Sequence, residues 1–597
     1  MPNHYTVNEK DVRFVLYDQL RLEELCKMEP FTGFAREDFE QVIASSLKLA
    51  KNELAPLHEL SDREGLQFEN GKVTVPPEFH AVYKKFCEGG WIAVSRSPEY
   101  GGGGLPTVLR MMTLEFFEGS CVAFAVYPGL AHGVGHLVES FGDAEMKALF
   151  AERLYTGVWG GTMDLTEPQA GSALGEIKTS AKPVSGRVYK IKGQKQFISC
   201  AEHDLTPNII HMVLARIEGA PAGVRGISMF LVPKLRVNPD GSLGKPNDVV
   251  CIAIEKKLGL HGSPTCQLAF GEDDDCLGAL VGEPNLGLAY MFQLMNEARI
   301  SVGIQALGQA AAAYEAALAY CKERIQGTDL AERKGPNVPI IRHPDVRRML
   351  LSMKSMVEGL RSLIYLSGHY YDLARVHPDA KERERYANLL EILTPICKAY
   401  ASDQGFRVNE TALQCLGGYG YTKDYPIEQF LRDAKITSIY EGTNGIQALD
   451  LLGRKVGMKE GAAWKALLGE IETFLDRAHG HPAVGPEVDL LSQALLGLTE
   501  LTPALLARGK TDPRGFALAA TPFLECVGDL TVSWLLLEQA VLAEAKRQEK
   551  GADQGFLEAK IHTARFFARE RLPMCQARAE VIRAGDRSPM EMKEEAF

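Results

Sequence analysis

The apolar pattern of this chain changes period twice, and that change limits the folds open to it. From about residue 36 to 155, hydrophobic side chains recur at helical spacing, as in FEQVIASSLKLAKNEL and FHAVYKKFCEGG. Between about 156 and 290 the pattern becomes short β-branched or alternating runs such as RVYKIKGQKQFIS, IIHMVLARI and ISMFLVPK, parted by Gly, Pro and Asp. Long helical patterns then return, in LGLAYMFQLMNEARISVGIQALGQAAAAYEAALAYCKERI and VRRMLLSMKSMVEGLRSLIYLSGHYYDLA. The order predicts an α+β chain, mainly α. An extension over 1–35 precedes a helical domain over 36–155, a β-domain over 156–290 and a helical bundle over 291–457. After the HGHPAVGPEV linker, Leu/Ala-rich segments over 465–597 read as an additional helical domain.

Composition narrows the function classes. The 597 residues are 46% hydrophobic with a formal charge of -11, so the chain has an ample core and no overall basic footprint for nucleic acid. No positive start with an apolar core opens the chain, and no stretch reads as the roughly 20 apolar residues of a membrane helix. Twelve cysteines without a Cys-x-x-Cys pair fit reduced thiols. A cytoplasmic protein without membrane insertion is expected.

Several short stretches carry chemistry. LTEPQAGS runs a strand into a turn of small residues, whose N–H groups can approach an anion or a flat ring. KQFIS presents an aromatic face, Phe197, and a hydroxyl, Ser199. In ITSIYEGTNGIQ, the single carboxylate Glu441 admits two roles, a helix-start acid favoured by the dipole or a base. His132 and His136 lie four apart, but Gly133 and Gly135 weaken the helix and no third ligand follows, so no metal is expected. Gly101 to Gly104 lacks a following Gly-Lys-Ser/Thr, and no G-x-G-x-x-G opens a helix after a strand.

Taken together and in order, PEYGGGGL, LTEPQAGS, KQFIS, KLGLHGSPT, NEARI, KERIQG, QCLGGYGY, RDAKI and IYEGTNGIQ resemble the acyl-CoA dehydrogenase family over about 36–457. The length, the DVRFVLYDQL start and the added carboxyl-terminal domain look most like its 3-methylmercaptopropionyl-CoA dehydrogenase-type branch. The resemblance implies helices, a β-domain and a helical bundle around FAD, in a homo-oligomer such as a dimer. It implies that Leu165, Thr166, Gly171 and Ser172 touch the flavin and its phosphates, with Phe197 and Ser199 behind the ring. Arg324 and Gln326 would reach the FAD of a neighbouring subunit, and Gln414, Gly417 and Gly418 would lie along adenine and ribose. Thr443 and Asn444 would offer donors to phosphate at a helix start. Arg299 and Asn296 would contact CoA, with Tyr440 and Gly442 beside the acyl thioester. Residues such as His132, Phe292, Met295 and Tyr421 would set acyl-pocket depth.

The chain also departs from the family pattern. Ala173 replaces a common Asp, Arg324-Ile325-Gln326-Gly327 shortens the usual Arg-x-x-Phe-Gly, Gly445 replaces a frequent Gln and Asn296 a frequent Asp. Some members carry the base one residue before the helix arginine; here that residue is Ala298, with Glu297 beside it, expected to be solvated or paired. The resemblance therefore makes Glu441 the base for the α proton and FAD the acceptor of the β hydride. Electrons would pass to an electron-transfer flavoprotein, and the substrate would be 3-(methylthio)propanoyl-CoA or a short- or medium-chain acyl-CoA. Rival readings are an acyl-CoA oxidase using oxygen, a nucleic-acid-binding family member and a silent scaffold. Acidic segments such as SPMEMKEEAF disfavour the nucleic-acid reading, and the intact base and flavin motifs disfavour the scaffold.

Overall fold

The computed structural model describes residues 4–597. By internal contact the chain forms two compact units, one of residue 4 with 43–105 and 116–298, the other of 5–42, 106–115 and 299–597.

In the first unit, helix Pro77–Glu88 opens with a proline whose missing N–H costs a helix start nothing, and it buries Phe79, Val82, Tyr83 and Phe86 on one face. Three of those rings pack edge-on against Phe124, with centroids 5.6 to 6.3 Å apart. A small hairpin of β1 (Gln67–Glu69) and β2 (Lys72–Thr74) precedes this helix, too short for its alternation to stand out in the helical pattern around it. The strands that follow are β3 (Gly160–Asp164), β4 (Ser180–Ser185), β5 (Val188–Ser199), β6 (Ile209–Ile217) and β7 (Ile227–Pro233). After the short pair β8 (Leu235–Val237) and β9 (Leu243–Pro246) come β10 (Val249–Ile254), β11 (Thr265–Phe270) and β12 (Leu277–Val281). The main sheet has the order β10-β11-β5-β12-β7-β6-β3, with β4 beside β5 and β6. Strand β6 has seven successive buried residues because both its faces are covered. Met212 and Leu214 join a core with Phe150, Trp159, Met291 and Leu294, while Val213 and Ala215 join Ile198, Phe230, Leu268 and Phe270. This covered sheet holds the ends of β3 and β5 rigidly.

The second unit is helical. Pro344–Val376, Ala380–Cys415, Ala462–Ala478, Gly485–Thr511, Pro513–Lys546 and Gln554–Ala584 are its long members, joined by residues 299–323 of helix Gly287–Glu323. Helices Pro513–Lys546 and Gln554–Ala584 pack on Pro344–Val376. Close approach depends on small residues: a Cβ at Gly528 would meet the Tyr400 ring at 2.1 Å. A buried ionic network ties the carboxyl-terminal helices in. Lys560 Nζ donates to Asp11 Oδ1 at 2.5 Å and to Glu358 Oε2 at 2.7 Å. Arg361 pairs with Asp11 and Glu115, both at 2.5 Å, and the Tyr365 hydroxyl donates to Glu115.

The expectation about apolar stretches needs correction. Helices Thr107–Phe141, Gly485–Thr511 and Pro513–Lys546 are long and apolar enough to cross a membrane by length and composition. The first of them contains Pro128 and is interrupted by a kink at Cys121, where φ is -160° and ψ 89°. The apolar windows of the first and third are 89% and 83% buried against protein, which accounts for their composition as core helices.

Candidate active site

Glu441 sits in a strained turn of the second unit. It adopts φ +55°, a left-handed conformation that costs a non-glycine residue energy, and Gly442 follows at φ +85°. A side chain at Gly442 would be strained by this φ, and its Cβ would come within 2.6 Å of Gln447 Nε2, which donates to Gly442 O at 3.2 Å. Thr443 then caps helix Asn444–Asp450, its hydroxyl accepting from Ile446 N. Among the described residues, neither the Glu441 carboxylate nor its N–H has a hydrogen-bond partner. Half-buried Glu441 has its carboxyl raised above the usual range by desolvation, against the pull of Arg299 and Lys398. An open carboxylate and an open N–H on one residue suit a base and an oxyanion donor.

The neighbours of this turn correct two expectations. Arg299 is 4% exposed, with its guanidinium 3.7 Å from Asp450 and 3.8 Å from where a Gly442 Cβ would lie. A cation so enclosed acts on the turn rather than reaching CoA. Asn444 also turns inward: its Oδ1 accepts from Lys398 Nζ at 2.8 Å, and its Nδ2 donates to Ala399 O at 3.2 Å. Its amide is thus used by helix Ala380–Cys415 and not offered to a phosphate. Tyr440 bonds Gln305 through its hydroxyl.

A groove of about 500 Å³ lies elsewhere in the same unit, lined by Tyr320, Arg324, Gln326, Ile340, Gln414, Leu416, Gly417, Gly418 and Tyr419 among others. Five residues named from separate motifs meet here. Arg324 is exposed, 3.4 Å from Gln326 Oε1 and 6.0 Å from the Tyr419 ring centroid. Above Gly417 and Gly418 a Cβ would meet nothing within 4 Å, so the floor is open. An exposed cation, amide donors and aromatic walls over bare backbone suit a nucleotide with its phosphates. Tyr320, Ile340 and Tyr419 were not anticipated; Tyr419 stood inside QCLGGYGY and could have been.

In the first unit, Phe197 is 57% exposed at φ +60°, and Cys200 shows φ +53°. The left-handed twist holds an aromatic face outward at the end of β5, with half-buried Ser199 beside it. The adjoining turn is braced from beneath. Glu167, 3% exposed, accepts from Lys195 Nζ at 2.9 Å, Lys178 N at 2.6 Å and Thr179 N at 3.0 Å, and Lys195 also donates to Leu165 O at 3.0 Å. Burial pushes the Glu167 carboxyl up, but Lys195 and these donors overcome it and hold it at about 2. Leu165 and Thr166 are half-buried above this brace, while Gly171 and Ser172 are exposed with open space at Gly171. An exposed ring and a small-residue loop on a rigid support suit a flat cofactor.

The same unit settles the surroundings of Glu297. Its carboxylate accepts from Arg96 Nη2 at 2.7 Å and from His136 Nδ1 at 2.7 Å. His132 Nδ1 donates to Ile92 O at 2.7 Å, which leaves Nε2 to accept from Arg96 Nε at 3.1 Å. Burial would raise Glu297, but Arg96 foremost and then His136 hold it well below the carboxylate range. It is a committed ion-pair partner, poorly suited to take a proton. His132 belongs to this network rather than to an acyl pocket, and Asn296, next to Glu297 in sequence, is half-buried.

This fold and these sites define a class. Residues 36–158, 162–272 and 285–456 match the family models for the acyl-CoA dehydrogenase N-terminal, middle and C-terminal domains, and 467–593 match the model described as acetyl-CoA dehydrogenase C-terminal like. The chain belongs to the acyl-CoA dehydrogenase family. It is 37% identical to a butyryl-CoA dehydrogenase of Syntrophomonas wolfei, covering 100% of this chain and 99% of that one. It is likewise 37% identical to a 3-methylmercaptopropionyl-CoA dehydrogenase of Ruegeria pomeroyi over 96% and 97%. Among solved structures, a Bacillus anthracis acyl-CoA dehydrogenase described as complexed with FAD has a TM-score of 0.74 at 22% identity, covering 95% of this chain and 91% of that one.

Proposed function

We propose that this chain oxidises an acyl-CoA thioester across its α and β carbons to the trans-2-enoyl-CoA, with Glu441 as the base. The observation that carries this reading is the Glu441 turn, whose carboxylate and N–H both have no hydrogen-bond partner among the described residues. The carboxylate takes the α proton while the Glu441 N–H donates to the thioester oxygen as charge develops there. FAD, when bound, supplies the acceptor for the β hydrogen and its electron pair. Phe197, Ser199 and the braced turn over Leu165, Thr166, Gly171 and Ser172 are the residues that would hold its flavin. The groove of Arg324, Gln326, Gln414, Gly417 and Gly418 would hold the nucleotide part of a partner subunit's FAD, in a homodimer. Arg299 and Lys398 keep the ionised base populated against desolvation.

The finer reading takes a short- or medium-chain acyl-CoA or 3-(methylthio)propanoyl-CoA as substrate and an electron-transfer flavoprotein as acceptor. A cytoplasmic setting goes with twelve cysteines that form no disulfide among the described residues. Anaerobic titration of the yellow protein with a panel of acyl-CoAs tests the reading. Bleaching of the flavin with formation of 2-enoyl-CoA is expected, and no bleaching with any thioester would overturn it. Rapid reoxidation by oxygen alone would replace the flavoprotein acceptor with an oxidase reaction.

A further inference from the structure

One cation beside Glu441 lies outside the proton-transfer step itself. Lys398 sits within helix Ala380–Cys415 and is 0% exposed. Its ammonium donates to Asn444 Oδ1 at 2.8 Å. Ser402 Oγ donates to the same oxygen at 3.2 Å and lies 2.9 Å from Asn444 Nδ2. Asn444 is the first residue of the helix that follows the Glu441–Gly442 turn. The interior helix therefore grips the chain just past the strained residue, while Gln447 holds Gly442 O from the other side. A left-handed glutamate persists only where its surroundings fix it, and these are the bonds that fix it.

The charges around the pair are few. Lys398 faces Asp403 on its own helix, Glu441 on the turn and Arg299 on helix Gly287–Glu323. The first two favour its ammonium and the third opposes it. Glu441 in turn faces Arg299 and Lys398. Burial pushes Lys398 down to about 8 and pushes Glu441 up, so each group restores part of the charge that desolvation takes from the other. A buried lysine is unfavourable for stability unless compensated, and leucine would fill such a site at lower cost.

We propose that Lys398 is a positioning residue for Glu441: through Asn444 it fixes the Glu441–Gly442 turn, and its positive charge favours the ionised carboxylate. This rests on Glu441 being the base. The test is stopped-flow reduction of enzyme-bound FAD by saturating acyl-CoA, followed from roughly pH 5 to roughly pH 9 at equal flavin content. Lys398→Gln, Asn444→Ala and Glu441→Gln are compared with the native holoenzyme. Lys398→Gln removes the charge and keeps a donor, and its acid limb is expected to move up by about one pH unit. Asn444→Ala keeps the charge and removes the tether, and its limiting rate is expected to fall about tenfold or more at unchanged acyl-CoA affinity. Native limiting rates and an unmoved acid limb in both variants would overturn the proposal. If Lys398→Gln does not retain FAD, a native rate in Asn444→Ala is enough to overturn it. A native rate in Glu441→Gln would instead remove the base assignment itself, a separate failure.

Discussion

Glu441 and Glu297 are carboxylates with opposite surroundings, and the contrast explains their different fates. Glu297 is neutralised by Arg96 and His136 and held ionised, whereas Glu441 is open and raised by desolvation. The reaction needs ionised Glu441, so the rate of flavin reduction is expected to fall as pH drops, with its acid limb above the ordinary 4.5. A limb at or below that value in a pH profile of the chemical step would contradict the raised carboxyl. The glutamate was legible from its motif, because the Gly-Thr-Asn after it signals a turn and a helix start. The partners of that turn were not. Which way Asn444 points depends on Lys398, 46 residues earlier, and no local pattern records a bond of that span. Arg299 was placed on CoA for the same reason, since residue type alone does not tell an enclosed guanidinium from an exposed one.

Elements were easier to read than contacts. The shift from helical to alternating pattern near 156 marks the strands that begin with β3 at Gly160, and the KERIQG and QCLGGYGY motifs meet in one groove. The brace under the 165–172 turn was missed, because Glu167 and Lys195 lie 28 residues apart and each looks ordinary in its own motif. Glu167 is held at about 2, below the 4.5 of the free side chain, so its contribution to stability is complete above about 4.5 and is lost as pH falls toward about 2. Glu167→Gln leaves the 0% exposed Lys195 ammonium without its counterion and is expected to cost about 3 kcal/mol or more, read as a lower denaturant midpoint at neutral pH. An unchanged midpoint would show that the brace is dispensable. In the groove, Arg324→Ala is expected to weaken FAD retention on gel filtration with little change in unfolding temperature, since the side chain is exposed. Equal retention would show that Arg324 does not hold FAD.

At the scale of the whole molecule, the carboxyl-terminal helices were legible as Leu-rich segments but their function in the fold was not. Lys560 reaches Asp11 across 549 residues and Glu358 across 202, closing an ionic network with Arg361. Burial raises Asp11, but Lys560 and then Arg361 outweigh it and hold the carboxyl at about 2. Truncation after residue 460 would strip Lys560 from two buried carboxylates and expose the apolar face beneath the last helices, so poorly folded protein is expected. Lys560→Met is the milder form of the same test, with an expected loss of about 3 to 5 kcal/mol in chemical unfolding. A truncated chain that is soluble and fully active would remove the network from the account.

The central claim is that Glu441 takes the α proton, and anaerobic flavin reduction by a good acyl-CoA tests it most directly. Glu441→Gln and Glu297→Gln are compared at equal flavin content. The amide at 441 keeps size and polarity, so FAD and acyl-CoA binding should persist while the reduction rate falls by about 10² to 10⁴. Glu297→Gln should still reduce its flavin, at a rate set by how well the Arg96 and His136 network survives. Native-rate reduction in Glu441→Gln together with loss in Glu297→Gln would contradict the claim and move the base to the long helix.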